Sequence, residues 1–271
     1  CAAYLAPRTA RASTAGAWDR RPGVQLSQAM SDAVQAPGRA AIFGATGGIG
    51  SALVAGLGGQ GWRVAAGSRS GAMVPGAADA FSFDLGEEAS IVAAGGPLRA
   101  DPPDLVVVAT GVLTLPSGTG PEKTLRQLDP DALAENFRIN TIGPALIAKH
   151  ILPLLPPGRR SVFAALGARV GSIGDNRLGG WHGYRASKAA LAMLVRNFAI
   201  EMARTHSQAI VVGLHPGTVA TGLSAPFQRS VPAQRLFSPT EAACRLIAVL
   251  GALTPADSGN VLDWRGDTVV P

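Results

Sequence analysis

Short unbroken runs of apolar residues recur along this chain, each followed by a segment of helical length, and that alternation constrains the fold more than any other feature. The clearest run, residues 105–109, reads Leu-Val-Val-Val-Ala; with no polar alternation it is expected to be a strand buried on both faces. Residues 40–43, 63–66, 80–83, 161–165 and 209–214 read the same way, and a short last strand is expected near 261–264. Helices are predicted over 51–57, 131–155, 184–204 and 241–250, the second with Asp129 as N-cap and Pro130 at its first position. Parallel strands need crossover connections, so this alternation predicts an α/β fold: a single doubly wound parallel sheet with helices on both faces. No internal repeat and no second core is visible, which predicts one domain over residues 38–271.

A chain of 271 residues with 47% apolar composition buries about three quarters of its unfolded surface and needs no disulfide or metal to hold it. Its 34 Gly and 20 Pro are scattered between apolar runs, as in a turn-rich globular protein. No apolar run is long enough to span a membrane. Cys1 and Cys244 form no CxxC spacing, which removes zinc ribbons and disulfide scaffolds together. These features predict a soluble, cytoplasmic protein. Half of the net charge of +6 sits in the first thirty residues, where Arg8, Arg11, Arg20 and Arg21 outnumber Asp19. Elsewhere the basic residues are dispersed, without the basic and aromatic stripe that nucleic acids need, so nucleic-acid binding is disfavoured. Residues 1–30, rich in Ala, Arg and Ser, have the composition of an organellar transit peptide; a natural start at Met30, or a fragment or tag remnant, is the alternative reading. Residues 1–37 are expected to be a disordered extension outside the fold.

The run Phe43-Gly44-Ala45-Thr46-Gly47-Gly48-Ile49-Gly50 falls between the first strand and the first helix. Glycines there let the backbone turn sharply and approach a pyrophosphate, which rests at the positive end of the following helix. The spacing Gly44-xxx-Gly48-x-Gly50 is not the G-x-G-x-x-G of the common dinucleotide fingerprint, and a merely structural turn would look similar; its placement nevertheless predicts a Rossmann-type sheet with a nucleotide site. At the end of the second strand an NAD site carries a carboxylate, but here the chain reads Gly67-Ser68-Arg69-Ser70. Arg69 and its flanking hydroxyls suit a 2′-phosphate through charge-assisted hydrogen bonds, so NADP(H) is the expected cofactor.

Tyr184-Arg185-Ala186-Ser187-Lys188 places a phenol and an ammonium at i and i+4 on one helix face. With two Tyr and only Lys123, Lys149 and Lys188 in the chain, such a pair arises by chance about once in fifty such sequences. A phenol is a poor acid at neutral pH, and a neighbouring cation favours its ionised form. In order and spacing, Gly44-xxx-Gly48-x-Gly50, Asn140, Tyr184-xxx-Lys188 and Pro216-Gly217 resemble the short-chain dehydrogenase/reductase family over about residues 38–265. Within it, residues 168–176, 180–188 and 215–227 look like the C-factor and Sniffer-type carbonyl reductases.

The resemblance implies an NADP(H)-dependent oxidoreductase that interconverts a carbonyl compound and an alcohol. Tyr184 would be the general acid, Lys188 would hold the nicotinamide ribose and lower the Tyr184 pKa, and Asn140 would hold a water linking Lys188 to solvent. Gly44, Thr46, Gly48, Ile49 and Gly50 would cradle the pyrophosphate, with Ser68 and Arg69 at the 2′-phosphate. Asp84 and Leu85 would contact adenine, Thr110 and Gly111 would lie beside its ribose, and Pro216, Gly217 and Thr218 would meet the carboxamide.

Two departures stand out. The family's Asn-Asn-Ala-Gly after the fourth strand is here Val108-Ala109-Thr110-Gly111, which leaves Thr110 to replace the lost Asn in part. The serine that binds the substrate oxygen is missing: the chain reads Ala164-Ala165-Leu166-Gly167-Ala168-Arg169, and the nearest hydroxyl is Ser172. Losing such a donor costs about 3–4 kcal/mol, or roughly two to three decades in rate. Three readings stay open. Ser172 substitutes, the enzyme is slow, or the chain is a non-catalytic NADP(H)-binding module for signalling or redox sensing. Residues 218–238, with Leu223, Pro226, Phe227, Pro232, Leu236 and Phe237, are expected to form a lid over a small apolar carbonyl or alcohol substrate. Leu191, Leu194, Val195, Phe198 and Met202 make a stripe on the Tyr184 helix; part is core, and the resemblance pairs this helix with the 131–155 helix in a homodimer or homotetramer.

Overall fold

The computed structural model describes residues 37–230 and 232–271; apart from Pro37, the extension expected at 1–37 lies outside the described residues. The strands are β1 (Arg39–Phe43), β2 (Arg63–Ser68), β3 (Asp79–Ser82), β4 (Leu105–Val108), β5 (Ser161–Leu166), β6 (Ala209–His215), β7 (Thr218–Val219), β8 (Leu236–Phe237) and β9 (Val261–Asp263). Seven of them form one parallel sheet in the order β3-β2-β1-β4-β5-β6-β9, while β7 and β8 pair only with each other. The helices are α1 (Gly48–Gly59), α2 (Glu88–Ala100), α3 (Pro130–Phe137), α4 (Gly143–Ile151), α5 (His182–Met202) and α6 (Pro239–Ala252).

Alternate residues of each strand feed opposite cores, which is why the strands read as unbroken apolar runs. From β1, Ala41 and Phe43 join Ile91 of α2, Ile147 of α4 and Val195 of α5 on one face. Ala40 and Ile42 join Leu53 of α1 and Leu246 of α6 on the other. The doubly wound sheet predicted from the alternation is therefore the observed fold. No helix among the described residues is long and apolar enough to cross a membrane.

Two elements differ from expectation. Helix α2 was not foreseen; its buried face consists of Ile91, Ala94, Gly95 and Leu98, so half of its apolar stripe carries little or no side chain. The helix expected over 131–155 starts as foreseen, with Ala132 N–H donating to Asp129 at 2.8 Å, but it is broken by a π turn at Arg138–Ile142. Pro144 explains the break. It has no N–H, so the α-helical bond from residue 144 to the Asn140 carbonyl cannot form, and the Gly143 N–H reaches back to the Arg138 carbonyl instead.

Candidate active site

β1 has β2 on one side and β4 on the other, so the connections leaving β1 and β4 run opposite ways and open a crevice at the carboxyl ends of the strands. The glycine loop lines it. Gly44 has φ +90°, and both its N–H and that of Ala45 donate to the Gly67 carbonyl at 2.9 Å, tying the loop to the end of β2. A Cβ on Gly50 would collide with the Gly44 carbonyl, and one on Gly48 would stand 2.6 Å from Thr221. Ile49 packs inward against the second core. Thr46, Gly47 and Gly48 are exposed, and α1 has no side-chain cap, so its first-turn N–H groups face outward as an anion seat.

Beyond β2, Arg69 is exposed and makes no hydrogen bond or ion pair among the described residues. The hydroxyls of Ser68 and Ser70 lie 3.3 Å apart beside it. After β3, the Asp84 carboxylate accepts the Gly86 N–H at 2.8 Å, and Leu85 turns its side chain inward onto Gly143. After β6, Pro216 leads into Gly217 at φ +80°, where a Cβ would meet the Phe237 ring at 2.7 Å, and Thr218 opens β7.

The loop after β4 brings the remaining groups together. Thr110 Oγ1 is buried with no hydrogen-bond partner. A Cβ on Gly111 would stand 3.1 Å from Asn140 Oδ1 and 3.4 Å from Lys188 Nζ, so the absence of a side chain lets this loop close over both. Asn140 is fully buried; its Oδ1 accepts the Val112 N–H at 2.9 Å, and its Nδ2 donates to the Val112 carbonyl at 2.9 Å and to Ser187 Oγ at 3.3 Å. The side chain thus clamps the β4 loop to α5 and is not the group that would hold a water.

Tyr184 and Lys188 lie one turn apart on the buried face of α5, 8% and 5% exposed. Lys188 Nζ donates to the Leu166 carbonyl at the end of β5 at 2.8 Å and stands 5.9 Å from the centre of the Tyr184 ring. Burial pulls the ammonium down to about 8 and pushes the phenol up to about 12. For the phenol, desolvation acts against the lowering expected from its neighbour. The Tyr184 hydroxyl makes no hydrogen bond among the described residues.

Ser172 follows a 3-10 turn at Arg169–Gly171, accepts the Asp175 N–H at 3.0 Å, and lines a cavity on the flank of α5 together with Gly167, Ala168 and Lys188. No bond joins its hydroxyl to that of Tyr184, and Gly167-Ala168 at the end of β5 offer none. The stripe from Leu191 to Met202 is largely core: Leu191, Val195 and Met202 are buried.

Two residues escaped the sequence reading. Glu122, only 5% exposed, accepts the Gly183 N–H through both carboxylate oxygens at 3.1 and 3.3 Å, while its carbonyl takes the Trp181 N–H. It therefore caps α5 just ahead of Tyr184. Trp181 is the one non-glycine residue with positive φ among those described, at 51°; its ring meets Phe227 at 5.1 Å and Tyr184 at 6.3 Å, both edge-on. Phe227 belongs to a 3-10 turn, Ala225–Ser230, within the segment between β7 and β8. The expected lid thus reaches the tyrosine through Trp181. Neither residue had a signal: Glu122 is a lone acid in a loop, and no spacing links it to residue 183.

Residues 39–231 match the short chain dehydrogenase family. The chain is 38% identical over 133 residues to 1-hydroxy-2-glutathionyl-2-methyl-3-butene dehydrogenase of Rhodococcus sp. strain AD45, which covers 49% of this chain and 55% of that protein. It is 32% identical over 145 residues to C-signal of Myxococcus xanthus, covering 54% of this chain and 82% of the relative, in line with the expected C-factor likeness. A short-chain dehydrogenase/reductase of Burkholderia multivorans, solved with bound NADP, superposes with a TM-score of 0.72 at 26% identity over 88% of this chain and 100% of that one. The match to the Rhodococcus enzyme spans only about half of that enzyme's length.

Proposed function

This chain belongs to the short-chain dehydrogenase family of oxidoreductases, and on that premise we propose that it interconverts a small apolar carbonyl compound and its alcohol with NADP(H), using Tyr184 as the acid–base group. The observation that carries the reading is the convergence of Lys188, Gly111 and Asn140 beside the glycine loop, with the Tyr184 ring centre 5.9 Å from Lys188 Nζ. The residues fit a phosphorylated dinucleotide. The uncapped start of α1, with Gly44, Thr46, Gly48, Ile49 and Gly50, suits a pyrophosphate, and the unpaired Arg69 with Ser68 suits a 2′-phosphate. Thr110 Oγ1, buried without a partner, and Gly111 suit the adenine ribose; Asp84 and Leu85 would flank adenine, and Pro216, Gly217 and Thr218 the carboxamide. Bound there, the reduced nicotinamide supplies a hydride to the carbonyl carbon.

A phenol held at about 12 stays protonated at neutral pH and is ready to donate to the carbonyl oxygen. The Lys188 ammonium stabilises the phenolate left behind and, held near 8, can resupply its proton. Asn140 contributes through its main-chain carbonyl, which Pro144 deprives of a helical partner and leaves to hold a relay water. Trp181 and Phe227 beside Tyr184 favour an apolar substrate. The outer face of α5, where Met193 and Ile200 are exposed, supports a homodimer.

A second reading, a non-catalytic NADP(H)-binding module, rests on the bare Gly167-Ala168 at the end of β5 and the bond from the Asp175 N–H to the Ser172 hydroxyl. Following NADPH absorbance against a panel of ketones and aldehydes separates the two. Consumption by the wild type, falling at least about a hundredfold in Tyr184→Phe with NADPH binding kept, is the expected result. Equal consumption by both proteins refutes the tyrosine mechanism, and tight NADPH binding without any consumption selects the second reading.

A further inference from the structure

Three side chains distant in sequence meet beneath the turn between β6 and β7. Phe237 of β8 and Trp264, the residue after β9, stand edge to face with ring centres 4.9 Å apart. The Arg245 guanidinium of α6 lies over both rings, 4.7 Å from the Phe237 centre and 4.6 Å from the Trp264 ring. Arg265 reaches the Trp264 ring as well, at 4.9 Å. A cation over the negative faces of two aromatic rings is attracted to both and holds the pair together. Glu241, one helical turn before Arg245, accepts the Ser238 N–H and hydroxyl, both at 2.9 Å. Arg245 makes no hydrogen bond or ion pair among the described residues and rests on the rings instead. The main chain of the crevice lies on this group. A Cβ on Gly217 would stand 2.7 Å from the Phe237 ring and 3.1 Å from that of Trp264, so only bare backbone fits there. Beyond it, Thr218 and Val219 pair with Leu236 and Phe237, and the Ala220 N–H donates to the Phe237 carbonyl at 2.8 Å. Ile49, in the first turn of α1, packs into the same cluster as Val219, Phe237, Ala242 and Trp264.

We propose that Phe237 and Trp264, clamped by Arg245, are positioning residues for the nicotinamide end of the dinucleotide: the ring pair fixes the main chain at Gly217 and Thr218, and through it the carboxamide. This rests on the NADP(H) reading above. The residues suited to the 2′-phosphate, Ser68 and Arg69, stand at the end of β2, four strands across the sheet from β6. The ring pair therefore acts on one half of the ligand and spares the other. Close packing under a turn transmits small displacements, and a shift of about 1 Å in a reacting group can cost roughly a hundredfold in rate.

Calorimetric titration of the full chain with 2′,5′-ADP, which carries the adenine half alone, and with NADPH tests this. Trp264→Leu is expected to weaken NADPH by about tenfold and Arg245→Met by about threefold, each with 2′,5′-ADP affinity within about twofold of wild type. Trp264→Phe keeps a ring beside Gly217 and is expected to recover most of the loss. The fluorescence anisotropy of bound NADPH at saturation should fall in Trp264→Leu, because a looser seat lets the nicotinamide turn. If Trp264→Leu does not fold, Arg245→Met, a change at a partly exposed side chain, decides. Unchanged NADPH affinity in both variants, or equal losses for NADPH and 2′,5′-ADP, would overturn the proposal and leave the NADP(H) reading standing. Failure of the wild type to bind 2′,5′-ADP would overturn both.

Discussion

Replacing Glu122 tests whether one buried carboxylate fixes the start of the helix that carries Tyr184 and Lys188. Glu122→Gln keeps an oxygen for the Gly183 N–H but removes the charge. A carboxylate in a partly buried site at a helix N-terminus is worth up to about 2 kcal/mol, and a charged hydrogen bond exceeds a neutral one by about 1 kcal/mol, so a loss of about 1–2 kcal/mol is expected. Glu122→Ala also leaves the Gly183 N–H without an acceptor in a site that is 5% exposed, which adds about 1–2 kcal/mol and brings the total to about 3 kcal/mol. At about 2–4 °C per kcal/mol for a domain of this size, the alanine variant should melt roughly 6–12 °C below the wild type, with glutamine between them. Urea unfolding with linear extrapolation measures the same losses. NADPH binding should survive in the glutamine variant, because none of the Glu122 contacts involves the glycine loop. An alanine variant within about 0.5 kcal/mol of wild type, or a glutamine variant as damaged as the alanine one, would show that the carboxylate does not hold this helix.

Arg69→Glu is expected to weaken NADPH by about tenfold or more while NADH loses little, read by fluorescence titration; unchanged NADPH affinity would remove the 2′-phosphate reading. Stability should depend on pH in two opposed windows. Unfolded Lys188, at about 10.5, keeps a proton that the folded group gives up at about 8, so the cost of burying it is full below pH 8 and relieved as pH rises to 10.5. Folded Tyr184 keeps its proton up to about 12, whereas the unfolded phenol loses it from about 10, so stability falls between those values. In urea midpoints measured against pH, Lys188→Met should flatten the rise and Tyr184→Phe the fall; profiles matching wild type would contradict both assignments.

The sheet was legible because every buried strand had to be apolar on both faces, and the runs at 105–109 and 209–214 carry that requirement openly. Helix α2 was hidden because half of its buried face is Ala94 and Gly95, which give almost no apolar signal. The π turn was written in Pro144, but a proline inside a helical pattern says only that the ladder is disturbed, and neighbouring contacts decide whether it kinks, ends or slips. Spacing gave the Tyr184–Lys188 pair, since four residues on a helix fix a shared face. It could not place Ser172, because a loop of irregular turns does not fix a side chain's direction. The direction of the Tyr184 and Lys188 shifts was not legible for a related reason: desolvation depends on everything packed around the two groups.

Pro144 has a consequence for what selection can improve here. An alanine at that position would restore an N–H to the helix and regularise its ladder, so the protein should gain thermal tolerance. The same N–H would quench the acceptor at Asn140 from which protons would be relayed, and turnover should drop. Robustness and speed would then be traded against each other by one hydrogen atom on a backbone nitrogen, outside the reacting groups.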